Sequence, residues 1–296
     1  MISTNDKHDE GDTYFLYRIR GPLPSDDDRL LNLVRREYLY PPSNLAYNLS
    51  KWDDPTYKKF SKEDTWRYIH FYLVKLFSDS KPGFFVEAGA LDGEYLSNTL
   101  WLEQYVGWTG LLVEPDKESF RHLQNKHRKS WTSNTCLSNQ PYPKETVHVS
   151  LHLKDNKDIM RVPWNFYANA HEYGVTVKIP KPDFFSLTDE SYTKVQCFPL
   201  STFLMVLNVS VVDFLSLDIQ GGEKEILRNI PWDKIRIRTI VVECIEKNID
   251  ESFVSFMESK GYVLVNRDLA VKVYDYFYVR KDEETLIRKL QNFVVV

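Results

Sequence analysis

The residues with the clearest chemical promise lie in one stretch: Phe84-Phe-Val-Glu87-Ala-Gly89-Ala-Leu-Asp-Gly93-Glu-Tyr95, an apolar run, an acid and two glycines. Glycine there lets the chain turn tightly and lets main chain approach a ligand at the carboxyl end of a strand, where open α/β sheets bind. The spacing Gly89-x-x-x-Gly93 differs from the G-x-G-x-x-G loop that makes room for a pyrophosphate, and no P-loop lysine follows. An acid, two glycines and no phosphate grip suit a cofactor made of an adenosine and a charged amino acid, which is S-adenosylmethionine. The competing reading is a strand-to-helix turn whose glycines serve geometry alone.

Three later strand ends extend the constellation. Leu111-Leu-Val-Glu114 closes with a carboxylate at the tip of the next strand, placed to accept both hydroxyls of a ribose. Cys136-Leu137-Ser138-Asn139 is placed to face an adenine. Phe214-Leu-Ser-Leu-Asp218-Ile-Gln220-Gly-Gly-Glu223 puts Asp218 at the end of a strand expected beside the first, looking into the same crevice. Glu223 fits a functional role and a plain helix start equally, since negative charge is favoured at the amide end of a helix.

Other candidates are weaker. His148 and His152 are four apart on an alternating strand, ~13 Å at about 3.3 Å per residue, too far to share a metal; a solvated face is expected for them. His122 and His127 are expected at the surface of the helix after the ribose strand. No G-x-S-x-G elbow supports Ser/His/Asp catalysis. Cys136, Cys197 and Cys244 are odd in number, lack a CxxC and sit in or beside apolar runs, so they are expected to be buried packing residues without a disulfide or metal.

These residues need a scaffold. From residue 84 onward, apolar runs alternate with amphipathic stretches, the pattern of an α/β sheet with helices on its faces. Strands are expected over residues 84–88, 110–114, 131–137, 211–218, 238–245, 261–265 and 274–280, and helices over 95–105, 117–127, 201–207, 223–229 and 249–260. The gap between the last two strands is too short for a crossover helix, so they are expected to form an antiparallel hairpin. The stretch 141–195 breaks the rhythm: Val147, Val149, Leu151 and Leu153 alternate inward on an edge or extra strand, and the rest, through Pro163, Pro180 and Pro182, reads as a long loop. Before residue 80, Ser25 followed by three aspartates starts a helix expected to reach about Leu39, and Trp66, Ile69, Leu73, Leu76 and Phe77 mark the packed face of another over 64–77. The division expected is a docked, partly helical extension over 1–80, an α/β core over 81–281 and a tail over 282–296.

Composition narrows the classes. The chain has 296 residues, 43% apolar and 27% charged, which excludes collagen, coiled coil and wholesale disorder. A formal net charge of -4 offers no cationic field for nucleic acid or acidic lipid. No apolar run is long enough to span a bilayer, and the first residues lack the basic-then-apolar order of a signal peptide, so a soluble, cytoplasmic chain is expected.

The run FFVEAGALDGEYLSNTLWLEQYVGWTGLLVEPD, then CLS, VQCFPLSTFL, VDFLSLDIQGGEKEILRNIPWDKI and IVVE, resembles the FkbM-type S-adenosylmethionine-dependent methyltransferase domain, most closely its animal branch related to protein Star. The resemblance covers roughly 26–280, including REYLYPPSN. It implies a Rossmann-like methyltransferase sheet, mostly parallel and ending in an antiparallel hairpin. By it Glu87, Gly89 and Gly93 form the cofactor loop, Glu114 holds the ribose, Leu137 and Ser138 lie by the adenine, and Asp218 lies by the methionine end. The family's Asp-x-Glu-Gly-x-Glu block would make Asp218, Gln220 and Glu223 the catalytic group, but its middle acid is here Gln220, which cannot take a proton. The expectation is O-methyl transfer to a small molecule or glycan. The alternative is a catalytically weak Star-like factor that binds protein cargo in endoplasmic-reticulum-to-Golgi or endosomal traffic, in a lumen or at a membrane. The sequons Asn48-Leu-Ser50 and Asn208-Val-Ser210 are compatible with a lumen.

Overall fold

The computed structural model describes residues 14–50, 64–153, 170–172, 188–243, 250–265 and 275–291. Its centre is a seven-stranded sheet built from β1 (Phe84–Ala88), β2 (Thr109–Val113), β3 (Trp131–Ser133), β8 (Val211–Leu217), β9 (Arg236–Glu243), β10 (Tyr262–Leu264) and β11 (Asp275–Arg280). The order is β10-β11-β9-β8-β1-β2-β3. Strands β3, β2, β1, β8 and β9 run parallel, while β11 is antiparallel to both β9 and β10. This is the Rossmann-like, mostly parallel sheet with a closing antiparallel hairpin that the sequence led us to expect. Chain order reverses between β1 and β8, which opens a crevice at their carboxyl ends.

Both faces of the sheet are covered, so its strands read as near-continuous apolar runs. Side-chain alternation divides them. Val86, Leu111, Leu215 and Ile240 face one core, with α4 (Leu200–Val206), α5 (Glu223–Arg228) and α6 (Glu251–Ser259). Phe85, Leu112, Phe214 and Val241 face the other, with α2 (Asp64–Phe77), α3 (Lys117–Asn125) and α7 (Glu284–Gln291). Helix α7 lies in the stretch expected to be a tail; its Leu286 is buried and Lys289 Nζ donates to the Leu76 carbonyl at 2.7 Å.

The amino-terminal segment enters the first core. Helix α1 (Asp28–Leu33) runs into a π-helical turn, Val34–Tyr38, and its Leu30 and Val34 are wholly buried. The cap is Asp27, whose carboxylate accepts from Arg29 N, and not Ser25, whose carbonyl instead accepts from Thr202 Oγ1. Tyr40 bridges to Thr132 on β3.

Three expectations are corrected. The helix expected over 95–105 begins only at Leu100, because the chain before it is wrapped around Glu87; a π-helical turn, Leu102–Val106, follows. The strand expected over 131–137 is two strands in two sheets. After β3 the chain bends at Asn134, whose side-chain amide donates to the carbonyls of Glu114 and Pro115, and continues as β4 (Cys136–Leu137). The loop expected after Leu153 contains further strands. With β4 and β5 (Lys144–Leu153), β6 (Ala170–Glu172) and β7 (Thr188–Phe198) form a second sheet of order β4-β7-β5-β6. Pro163, Pro180, Pro182 and Cys244 lie outside the described residues.

That second sheet brings two more corrections. Strand β5 is interior rather than an edge, flanked by β7 and β6, and both its faces are covered near its middle, since Val149 is buried and so are His148 and Ser150. The solvated face expected for His148 does not exist; the side chain of His152 lies outside the described residues. Parallel pairing of β4 with β7 puts Cys136 opposite Cys197, and the two form a disulfide with Cα atoms 4.3 Å apart. The cysteines were read as unpaired because they are separated by 61 residues and their partnership depends on β7, which the local pattern does not reveal.

Candidate functional site

The crevice at the β1/β8 reversal holds a cavity of about 280 Å3 whose wall includes Gly89, Glu114, Leu137, Asp218 and Gln220. Gly89 sits just past β1 with φ +83°, and a Cβ built on it would lie 1.8 Å from the Asp218 carbonyl oxygen. Only glycine permits this approach of main chain to main chain. The same closeness is held by hydrogen bonds: Gly89 N donates to the Val113 carbonyl at 3.0 Å, and Asp218 N to the Ala88 carbonyl at 3.1 Å.

Glu114 stands at the tip of β2 and is 2% exposed. Its two oxygens accept from Leu91 N and Asp116 N, each at 2.8 Å. Those bonds anchor the carboxyl but do not offset its desolvation, and burial pushes its pKa up to about 8. A ligand hydroxyl reaching this group meets an acceptor already fixed in direction by the backbone.

Asp218 is exposed to the cavity, and Gln220 Nε2 donates to its Oδ1 at 2.9 Å and to Glu243 Oε2 at 2.7 Å. Gln220 adopts φ +58°, an uncommon conformation for a residue with a side chain. Burial first, then the neighbouring Asp218 charge, pushes Glu243 well above the usual carboxylate range, and the same two causes bring Asp275 to about 8. Burial thus favours the protonated forms of Glu243, which lines the cavity beside Asp218, and of Asp275 on the neighbouring strand, and a cation bound there would favour their ionised forms.

The other expected residues do not reach the cavity wall. Glu87, 4% exposed, accepts from Ser97 Oγ and Asn98 N at 2.8 Å and from Thr99 Oγ1, so it pins the loop that follows the glycines. Gly93 faces α3, where a Cβ would lie 2.3 Å from Leu123 Cδ1. Ser138 Oγ donates to the Tyr142 carbonyl at 2.8 Å. Glu223 accepts from Ile219 N and Gly221 N, closing the turn that carries Gln220. These four shape the site from behind.

Several lining residues were not singled out from the sequence. Glu243 ends β9 with the same apolar-run-then-acid signature as Glu87 and Glu114, and that signal could have found it. His148, Glu172 and Cys197 come from the second sheet, where no local spacing points inward, whereas Cys136 belongs to the strand end expected to face an adenine and lines the wall with Leu137. Arg128, 2% exposed, had no local signal either: it pairs with Glu103 and donates to the Gly93 carbonyl, Ser97 Oγ and Thr99 Oγ1, tying the glycine loop to the segment after it. Among the described residues, no group of three or more His, Cys, Asp or Glu side chains is arranged to hold a metal ion.

No curated protein matches the chain. Among solved structures it is similar to methyltransferase FkbM from Methylobacillus flagellatus KT, at 13% identity and a TM-score of 0.37 over 67% of this chain and 43% of that one. It is also similar to the human methyltransferase 10 domain containing protein, at 13% identity and a TM-score of 0.35 over 88% of this chain and 100% of that one. The chain thus spans less than half the length of the Methylobacillus protein. Residues 87–264, which run from the Glu87 loop through the strand that ends at Glu243 to the end of β10, match the model of the Methyltransferase FkbM domain, and the chain belongs to that family.

Proposed function

We propose that the chain is an S-adenosylmethionine-dependent methyltransferase acting on an oxygen nucleophile. The observation that carries this reading is the convergence of Gly89, Glu114, Leu137 and Asp218 on one carboxyl-rich cavity at the sheet's reversal. A wall that carries Glu114, Asp218 and Glu243 is complementary, once those carboxyls are ionised, to a donor bearing a sulfonium and an ammonium. Such a cofactor, when bound, supplies a methyl group on a positively charged sulfur that departs as a neutral thioether. Gly89 would let main chain approach it, Glu114 would accept from the ribose hydroxyls, Leu137 would pack on the adenine, and Asp218 with Glu243 would balance the charged end.

The acceptor would approach past His148 and Glu172, which enter the cavity wall from the second sheet. His148 is 5% exposed and, among the described residues, is the one imidazole in that wall. Because Gln220 cannot accept a proton, we assign removal of the acceptor hydroxyl proton to His148. Alignment of the two substrates supplies most of the remaining rate enhancement.

A melting curve with and without S-adenosylmethionine tests the reading. Saturation at ~100 times the dissociation constant stabilises a protein by ~2.7 kcal/mol, an easily visible shift. Asp218→Ala and Glu114→Ala are each expected to weaken binding roughly tenfold or more, ~1.4 kcal/mol. No shift at millimolar cofactor with folded protein would overturn the proposal. A second reading, a binding module without turnover that acts on protein cargo, is favoured by Gln220 alone; donor binding with no methyl transfer to any hydroxyl acceptor would select it.

A further inference from the structure

The disulfide and one of the sequons together point to a modification that the methyl-transfer reading does not involve. Disulfides persist in oxidising compartments and are rare where glutathione and thioredoxin keep thiols reduced. Cys136 and Cys197 are 8% and 1% exposed, paired in register between two strands, which marks their bond as structural. A chain that matures where this bond forms in a eukaryotic cell also meets the machinery that glycosylates Asn-x-Ser motifs.

The two sequons are not equivalent in the fold. Asn48 Nδ2 donates to the Asn125 carbonyl at 3.0 Å, and Ser50 donates through N and Oγ to Glu94 at 2.7 and 3.2 Å. That motif is knitted to the body of the protein through the nitrogen that would carry a sugar. Asn208 is different. It is exposed, with φ +56°, on the turn between α4 and β8, and its side chain makes no hydrogen bond among the described residues. Ser210, two residues on, is exposed as well. The motif is flanked by Met205 and Val211, apolar residues that are 39% and 41% exposed, and a glycan rooted between them would cover both. The turn lies at the amino end of β8, whereas the cavity lies at its carboxyl end, roughly 20 Å away at ~3.3 Å per residue. A bulky group at Asn208 therefore leaves the candidate site open.

We propose that Asn208 carries an N-linked glycan and that the chain matures in an oxidising, glycosylating compartment. The co-reactant is a lipid-pyrophosphate-linked oligosaccharide, used by the host transferase. The Asn208 amide nitrogen forms a bond to the anomeric carbon as that carbon's bond to the pyrophosphate oxygen breaks. The nitrogen gives up one proton, and the lipid pyrophosphate leaves with the electron pair. In the same compartment the thiols of Cys136 and Cys197 lose two protons and two electrons to a disulfide-bearing oxidant.

The test uses the full chain purified from its native source. Peptides are prepared with thiols blocked and without reductant, then treated with a peptide-N-glycosidase in heavy-oxygen water. The expected result is an Asn208 peptide that appears only after the enzyme, converted to aspartate and carrying the heavy label, together with a Cys136–Cys197 cross-linked peptide. An Asn208→Gln variant made in the same cells should lose one glycan's worth of gel mobility shift and still bind S-adenosylmethionine as the parent does. An unmodified Asn208 in the native protein overturns the proposal, as does a glycan at Asn48 alone. Blocked free thiols at both cysteines overturn the assignment of compartment.

Discussion

Gln220 Nε2 lies 2.7 Å from Glu243 Oε2 and joins the tips of β8 and β9 through a hydrogen bond in which only an amide, not a carboxylate, can be the donor. The same nitrogen donates to Asp218 Oδ1, so one amide bridges two acids whose closeness helps to raise the Glu243 pKa. The departure from the family's acidic block thus has a structural counterpart: the glutamine donates to both neighbouring acids where a third acid would add charge.

Replacing that amide, as in Gln220→Glu, puts a third carboxyl among Asp218 and Glu243. The variant is expected to be less stable than the parent by about 1.5–3 kcal/mol at pH 8, the range for losing hydrogen bonds to charged partners. Protonation relieves the repulsion, so the difference should shrink at pH 6. Urea denaturation at the two pH values checks this, and equal losses at both would refute the electrostatic account. Methyl transfer measured on the same variant shows whether the added acid restores a base.

Stability and donor affinity should move in opposite directions with pH. Burial raises Glu114 from 4.5 to about 8 and Asp275 from 3.8 to about 8. Between those values the folded chain holds protons that the unfolded chain has already lost. This contribution to stability is therefore present in full below the unfolded values and is lost as pH rises through about 8. A cationic donor favours the ionised carboxyls, so its affinity should rise with pH, by up to about tenfold per unit below pH 8 for each proton released. Calorimetric titration in buffers of different ionisation enthalpy measures that release, and its absence would contradict the site's proposed charge.

The disulfide closes a loop of 61 residues that carries most of the second sheet. Constraining a loop of that length stabilises by about 4 kcal/mol in the chain-entropy model. Cys136→Ser with Cys197→Ser should lower the denaturation midpoint accordingly and weaken donor binding, since both cysteines line the cavity. Denaturation of the parent with and without reductant should reproduce the stability difference.

Arg128 and Glu103 form an ion pair with 0% and 1% of their side chains exposed. Breaking such a pair strands a buried charge and costs about 3–5 kcal/mol. Arg128→Met is expected to lose that amount, whereas replacing both partners with apolar residues should recover part of it. A double-mutant cycle by denaturation measures the coupling. The single variant should also bind the donor less well, because Arg128 holds the Gly93 carbonyl and the loop behind Glu87.

Local pattern carried the reading of the large sheet a long way. The runs that became β1, β2, β8 and β9 are apolar on both faces, so each announces itself as a buried parallel strand without knowledge of its neighbours. Gly89, Glu114 and Asp218 were legible for the same reason: each stands at a strand's carboxyl end, and the sheet order alone brings such ends together. The second sheet was hidden because the first half of β7, Thr-Asp-Glu-Ser-Tyr-Thr, is polar and shows no strand signature.

By itself, then, the sequence determined a mostly parallel α/β sheet, its antiparallel hairpin, and the glycine and carboxylates that gather at the reversal of strand order. Tertiary structure alone decided that Cys136 meets Cys197, that His148 and Glu172 enter the cavity, and that Glu87 and Glu223 turn away from it to hold loops. The reason is the range of the interactions. Strand identity and turn geometry are set by residues within a few positions of one another, whereas the direction of a buried carboxyl and the partner of a cysteine are set by chain segments that only the fold brings near.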